Sequence, residues 1–167
     1  MTILYVQATG GGEDPYVTDI AKWSELRTVP AMGRYYHHMN TYHISYAAFN
    51  NNNDDPNEDY IRARRYMPLK KRGLKGTELK PDFARTGLFA TGVPHRITVI
   101  KRGKTLSMRV QNDQADETFR WTDDTLPGIA EGRIGLPAHV HSGGPVSGFS
   151  CDPARCPRGE FEALDWK

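Results

Sequence analysis

The sequence predicts an all-β sandwich with one short helix. Three observations carry this. Short apolar or alternating runs follow one another at turn-bounded spacing, the pattern of a sandwich rather than of βαβ units. Leu106, Met108 and Val110 alternate with polar residues on one arm of a hairpin, as a half-buried strand requires. The 167 residues include 16 Gly, 11 Pro and 8 Tyr, a turn-rich and aromatic-rich composition with little material for long helices.

Taken in order, Ile3 to Ala8 (ILYVQA) reads as a strand beginning at residue 2 or 3 and ended by Gly10-Gly11-Gly12. Thr18 to Leu26 (TDIAKWSEL) is the helix: Thr18 or Asp19 caps it, and Ile20, Trp23 and Leu26 fall at helical spacing before Pro30. Ala31 to His38 adds a second helical turn. Asn40 to Phe49 (NTYHISYAAF) is the clearest strand. It places Tyr42, Ile44, Tyr46 and Ala48 on one face, and His43, Ser45, Ala47 and Phe49 on the other. A polar loop over 50–59 (NNNNDDPNED) leads to the returning strand, Tyr60 to Met67, with Tyr60, Arg62, Arg64 and Tyr66 in phase. Residues 68–92 are basic and Gly-rich without periodicity and read as a long surface loop. His95 to Lys101 and Lys104 to Gln111 form a hairpin about Arg102-Gly103; Glu117 to Trp121 and Arg133 to Leu136 are further short strands.

Length and charge narrow the function classes. A chain of 167 residues is one domain and can bury a core without metal or disulfide. A net charge of +2 from 22 basic and 20 acidic residues excludes a strongly basic nucleic-acid binder and an acidic disordered tail. Mean hydropathy is −0.64 and no apolar run reaches membrane-spanning length, so no membrane partner is expected. The N-terminus shows no signal-peptide pattern, which makes the cytoplasm the expected location. Cys151 and Cys156 do not form a C-x-x-C pair and have no second pair to complete a zinc site. Gly10-Gly11-Gly12 is followed by no Gly-Lys-Ser/Thr and is not a phosphate loop.

Three stretches together carry a resemblance: YVQATGGGEDPYVTDIAKWSELR, MNTYHISYAAF, and HRITVIKRGKTLSMRVQNDQADETFRWTDD followed by EGRIGL. They resemble the YesU-type family of bacterial proteins, and Asn40, His43, Ser45 and Tyr46 in the N-x-x-H-x-S-Y strand are its more specific part. The resemblance covers residues 3–136. It implies a concanavalin A-like, jelly-roll β-sandwich of the lectin/glucanase superfamily, among proteins that act on plant or algal polysaccharide. It also implies one or two strands ahead of ILYVQA, absent here, and a basic-aromatic closing strand after Leu136. The chain instead continues PAHVHSGGPVSGFSC. One permissible back-translation of that segment, read one nucleotide on, gives RHMYTRAARYRDFR. The expectation is a partial sandwich domain over 1–136 and an irregular, frameshifted tail over 137–167, in which the two cysteines are accidental.

The candidate site follows from strand phase. His43 and Ser45 share a face, whereas His43 and Tyr46 lie on opposite faces unless a bulge intervenes. A groove histidine can serve as general base or bind a sugar hydroxyl. Arg62 and Arg64 suit uronate carboxylates bidentately, while Tyr60 and Tyr66 suit the apolar faces of sugar rings. The alternative for this face is a solvated surface with snorkelling arginines. The expected partner is therefore an oligo- or polysaccharide. In an enzyme, lyase chemistry on a uronic acid fits better than hydrolysis, with His43, Tyr46, Arg62 and Arg64 as catalytic residues. Asn40, Ser45, Tyr60, Tyr66 and Trp121 are the expected substrate contacts. Asp123-Asp124 sit adjacent on a turn and point apart, and no E-x-D-x-x-E strand occurs, so a glycosidase pair is not supported. The 50–59 loop has oxygen ligands of the kind calcium takes, but not the spacing of an EF-hand, so no cofactor is expected. Lys70-Lys71-Arg72, with Lys75 and Lys80, is a basic run able to attract an anionic polymer. Two other readings stay open: a non-catalytic glycan-binding module using Tyr60, Tyr66 and Trp121, and an inactive truncated gene product.

Overall fold

The computed structural model describes residues 1–23, 26, 32–48, 58–68, 74–89 and 93–135. These form an all-β architecture of two antiparallel sheets. The strands are β1 (Thr2–Gly10), β2 (Met39–Ala47), β3 (Tyr60–Tyr66), β4 (Glu78–Ala84), β5 (Arg96–Arg102), β6 (Thr105–Gln111), β7 (Asp116–Thr122) and β8 (Arg133–Gly135). One sheet has the order β4-β3-β2-β1-β8, the other β5-β6-β7.

The interior lies between the sheets. Leu4, Val6, Tyr42, Ile44, Ile61, Ala63 and Leu79 from the larger sheet meet Leu106, Met108, Val110, Phe119 and Trp121 from the smaller. The alternation read on β6 is the one observed: Leu106, Met108 and Val110 are fully buried. Gly103, with φ +55, makes the turn between β5 and β6. Phe83 of β4 packs edge-on against Phe119 and Trp121 of β7, which seats the smaller sheet over that end of the larger one.

Two expectations are corrected. Residues 68–92, read as a loop, contain the edge strand β4. Lys80-Pro81-Asp82 hid it, and a proline without an N–H is tolerated on an edge. The helix expected over Thr18–Leu26 is, among the described residues, a four-residue 3₁₀ turn, Ile20–Trp23. The capping signal was sound, since the Asp19 carboxylate accepts from the Ala21 N–H at 3.0 Å. Ile20 and Trp23, three apart, need only one 3₁₀ turn to share a face. Further 3₁₀ turns occupy Met32–Arg34 and Tyr36–His38. The 137–167 tail, both cysteines, Phe49 and the 50–57 part of the polar loop lie outside the described residues.

These turns cover the outer face of the larger sheet. Ile3, Tyr5, Ala8, Met39 and Tyr66 from the sheet pack with Ile20, Trp23 and Tyr35 in a second apolar cluster. Gly10 permits the approach: its N–H donates to the Thr18 carbonyl at 2.8 Å, and a side chain there would run into the Val17 carbonyl and the Trp23 ring. The Trp23 indole N–H donates to the Val17 carbonyl at 2.9 Å, which holds the covering segment in place.

Candidate functional site

On the outer face of the larger sheet, β2 runs between β1 and β3. Register places His43 beside Tyr5 and Arg64, and Ser45 beside Arg62. Strand phase groups His43 with Ser45 and Tyr60 with Arg62, Arg64 and Tyr66, and the register brings both groups to one face of the sheet.

Their exposure differs from the expectation. His43 is 4% exposed, between Tyr5 at 5.4 Å and Tyr66 at 5.1 Å, centroid to centroid. The Tyr66 hydroxyl and His43 Nδ1 share a hydrogen bond of 3.1 Å, and Nε2 is buried with no hydrogen-bond partner among the described residues. Burial, reinforced by the positive charges of Arg64 and Arg62, pushes the His43 pKa down to about 3. Burial also raises the Tyr66 and Tyr5 phenols above their ordinary range. Near neutral pH all three rings are uncharged.

The two arginines are held differently. Arg64 donates to Glu78 at 3.0 Å, to the Leu74 carbonyl at 2.8 Å and to Thr77 Oγ1 at 3.2 Å. Its guanidinium staples β3 to the turn that precedes β4. Arg62 lies over the Tyr60 ring at 3.8 Å and makes no ion pair or hydrogen bond among the described residues. Tyr60 and Tyr66, expected as open sugar platforms, are 8% and 2% exposed, because Arg62 and the covering segment lie against them.

Three expected site residues lie elsewhere. Tyr46 faces the interior and stacks on Phe89 at 5.3 Å. No bulge is recorded between β2 and β3, so alternation keeps it on the face opposite His43. Trp121 is 1% exposed in the interior, with its indole N–H donating to the Pro81 carbonyl at 2.8 Å; it has no free face for a sugar. Asn40 lines a shallow cleft of about 330 Å³ at the end of the sandwich, with Gly11, Arg65, Met67, Pro127 and Gly128.

Sequence reasoning missed a buried charge cluster beside that cleft. Arg65 Nε and Asp123 Oδ2 are 3.4 Å apart, with both side chains almost fully buried. Arg65 also donates to the Tyr66 carbonyl and, at 3.3 Å, to the Pro127 carbonyl. Asp123 Oδ1 accepts from the Thr125 and Leu126 N–H groups and the Thr125 hydroxyl, at 3.0–3.2 Å. Lys101 sits 5.3 Å from the Tyr42 ring and donates to the Ile129 carbonyl. Burial lowers its pKa, with Arg65 adding repulsion. The signal for Arg65 was its phase with the inward residues Ile61 and Ala63. Together these contacts clamp the 123–129 segment across the end of the sandwich.

The remaining motifs place as follows. Asp59, counted among the oxygen ligands of the polar loop, is buried and accepts from the Thr86 N–H and hydroxyl. Its carboxylate is therefore used within the fold. Among the described residues no three His, Cys, Asp or Glu side chains are grouped to hold a metal. Lys75 and Lys80 are exposed, and Lys80 pairs with Asp82 at 2.9 Å; residues 70–72 lie outside the described residues. Compared with protein-family models, curated proteins and solved structures, the chain matches none.

Proposed function

We propose that this protein is a non-catalytic glycan-binding module that recognises uronate-bearing plant or algal polysaccharide through Arg62 on the outer face of the larger sheet. The observation that carries the reading is the Arg62 guanidinium. It lies over the Tyr60 ring at 3.8 Å and lacks an acidic partner among the described residues, whereas its neighbour Arg64 is paired with Glu78. A guanidinium pre-organised on an aromatic ring loses little freedom when a carboxylate docks on its fork. Ser45 lies beside it in register. The concanavalin A-like jelly roll remains the fold we assign, on the sequence resemblance together with the packing of two antiparallel sheets. Lyase chemistry is the weaker reading. A base must reach the substrate and have a pKa near the working pH, whereas His43 is sealed and its pKa lies near 3.

The test is titration calorimetry with polygalacturonate, alginate and ulvan, alongside a neutral glucan, while ultraviolet absorbance follows any unsaturated uronate product. The expected result is binding of an acidic polymer with flat absorbance, and at least a tenfold loss of affinity in Arg62→Ala. No binding, or binding unchanged in Arg62→Ala, overturns the proposal. A rise in absorbance replaces it with the lyase reading.

A further inference from the structure

The outer face of the smaller sheet lies open, and it is strongly biased in charge. Cross-strand register fixes which residues share it. Arg96 stands in line with Asp116 across Gln111, Ile100 with Arg120 across Ser107, and Arg102 closes the far end of β5. Arg109 lies at the centre of the face and donates to Asp116 at 2.7 Å. Arg96, Arg102 and Arg120 are exposed and form no ion pair among the described residues. The other side chains on this face are four threonines, a serine, a glutamine and the exposed Ile100. Four arginines against one aspartate leave three net positive charges on one face, more than the +2 of the entire chain. Glu117 is on β7 too but belongs to its opposite phase.

We infer that this face is a second binding surface, one that takes a sulfated or carboxylated polysaccharide. The face has no aromatic ring, so neither a neutral sugar nor an unstacked base finds a platform on it. Its ligand has to be held by charge and by hydroxyl hydrogen bonds. The charges are sparse: Arg96 and Arg102, six residues apart on one strand, are separated by about 20 Å. Arg120 lies two strands, about 10 Å, from the β5 edge. That spacing suits a polymer whose anionic groups recur at intervals along a hydroxyl-rich chain. Duplex DNA, with a charge every ~1.7 Å, would leave most of its phosphates unmatched here. Arginine forks engage sulfate and carboxylate bidentately, and the threonine and serine hydroxyls between them suit a carbohydrate. The choice of polymer class agrees with the proposed function, but the residues are separate, so either surface can fail without the other.

The experiment measures dextran sulfate binding by titration calorimetry at low salt. The controls are uncharged dextran, a short DNA duplex and phosphatidylserine vesicles. The variant is Arg96→Ser/Arg102→Ser/Arg120→Ser, with circular dichroism confirming its fold and Arg109 left in place. The expected result is binding of dextran sulfate but not dextran, weakened at least tenfold in the triple variant and retained in Arg62→Ala. Binding should collapse by 1 M salt, where the Debye length falls to ~3 Å. A folded triple variant that binds like the parent overturns the inference, as does DNA or vesicle binding equal to that of dextran sulfate. If Arg62→Ala alone abolishes dextran sulfate binding, the larger sheet holds the site and this face does not. If the triple variant misfolds, the single Arg120→Ser variant must show a two- to threefold loss for the inference to stand.

Discussion

The outward residues of β2 are Met39, Thr41, His43, Ser45 and Ala47; those of β6 are Thr105, Ser107, Arg109 and Gln111. Both strands carry a run of polar outward residues, yet Thr41, His43 and Ser45 are buried and the four of β6 are half-exposed or exposed. The neighbours explain the difference. On the larger sheet the flanking outward residues include Arg62 and Arg64 but also Ile3, Tyr5 and Tyr66, apolar enough to recruit the Ile20–Trp23 turn and Tyr35 as a cover. On the smaller sheet the flanking residues are mostly threonines and arginines, and a single apolar side chain, Ile100, is too little to recruit a cover. The outward face of a strand is thus decided across the sheet, not along the strand, because burial is a property of the contiguous patch.

The sharpest way to break this comparison is to remove the cover. Trp23 and Trp121 are each 1% exposed, one on the covered face and one in the interior. Trp23→Ala and Trp121→Ala should each cost about 3–5 kcal/mol, the ordinary range for deleting a buried indole. Urea unfolding followed by circular dichroism measures both. A Trp23→Ala cost below about 1 kcal/mol would mean that the cover contributes nothing and that both outer faces are solvent faces. Asp123→Ala tests the clamp at the sandwich end and should cost a similar amount, about 3–5 kcal/mol, because it strands the Arg65 charge in a buried site. Leu106→Ala, in the interior of the smaller sheet, should cost about 2–5 kcal/mol.

A smaller effect probes the covered face through pH. His43 has a folded-state pKa near 3 because it is buried, against about 6.5 for an unfolded chain. Below pH 6.5 the unfolded chain takes up a proton that the folded protein refuses. Stability therefore falls as the pH drops and levels off only near the folded value. At about 1.4 kcal/mol per unit, the parent should lose about 2 kcal/mol between pH 6.5 and pH 4.5 that His43→Phe does not lose. The comparison of slopes matters, since His43→Phe also leaves the Tyr66 hydroxyl without its hydrogen-bond partner. Parallel slopes would mean that His43 takes up its proton in the folded state. It would then be open to solvent, and its standing as a base would have to be reconsidered.

How much of this was legible follows from the range of each interaction. β1, β2, β3 and the β5–β6–β7 run were readable because alternation is local, and Leu106, Met108 and Val110 sit where it put them. β4 was not, because its two inward anchors, Leu79 and Phe83, are separated by Lys80-Pro81-Asp82, which reads as a loop. The phase of the outward residues on β2 and on β3 was readable strand by strand. Their burial was hidden, because the cover comes from Ile20, Trp23 and Tyr35 and nothing local to Tyr60–Tyr66 reports it. Arg65 went unread although its inward phase is local, and its partner Asp123 belongs to the turn after β7, beyond the reach of any local pattern.

The smallest predicted effect concerns the open face. Arg96→Ser, Arg102→Ser and Arg120→Ser should each change stability by no more than about 0.5 kcal/mol, the range for surface substitutions that break no cap, pair or packed contact. Arg120 lies across Ser107 from the exposed Ile100, and none of the three arginines has an ion pair among the described residues to lose. Thermal unfolding of the three single variants decides it. A loss above about 1 kcal/mol at any position would reveal a structural contact there and make that arginine a poor probe of binding. Near-neutral values leave these arginines without a structural role, so any loss of polymer affinity in the same variants reports on the ligand rather than on the fold.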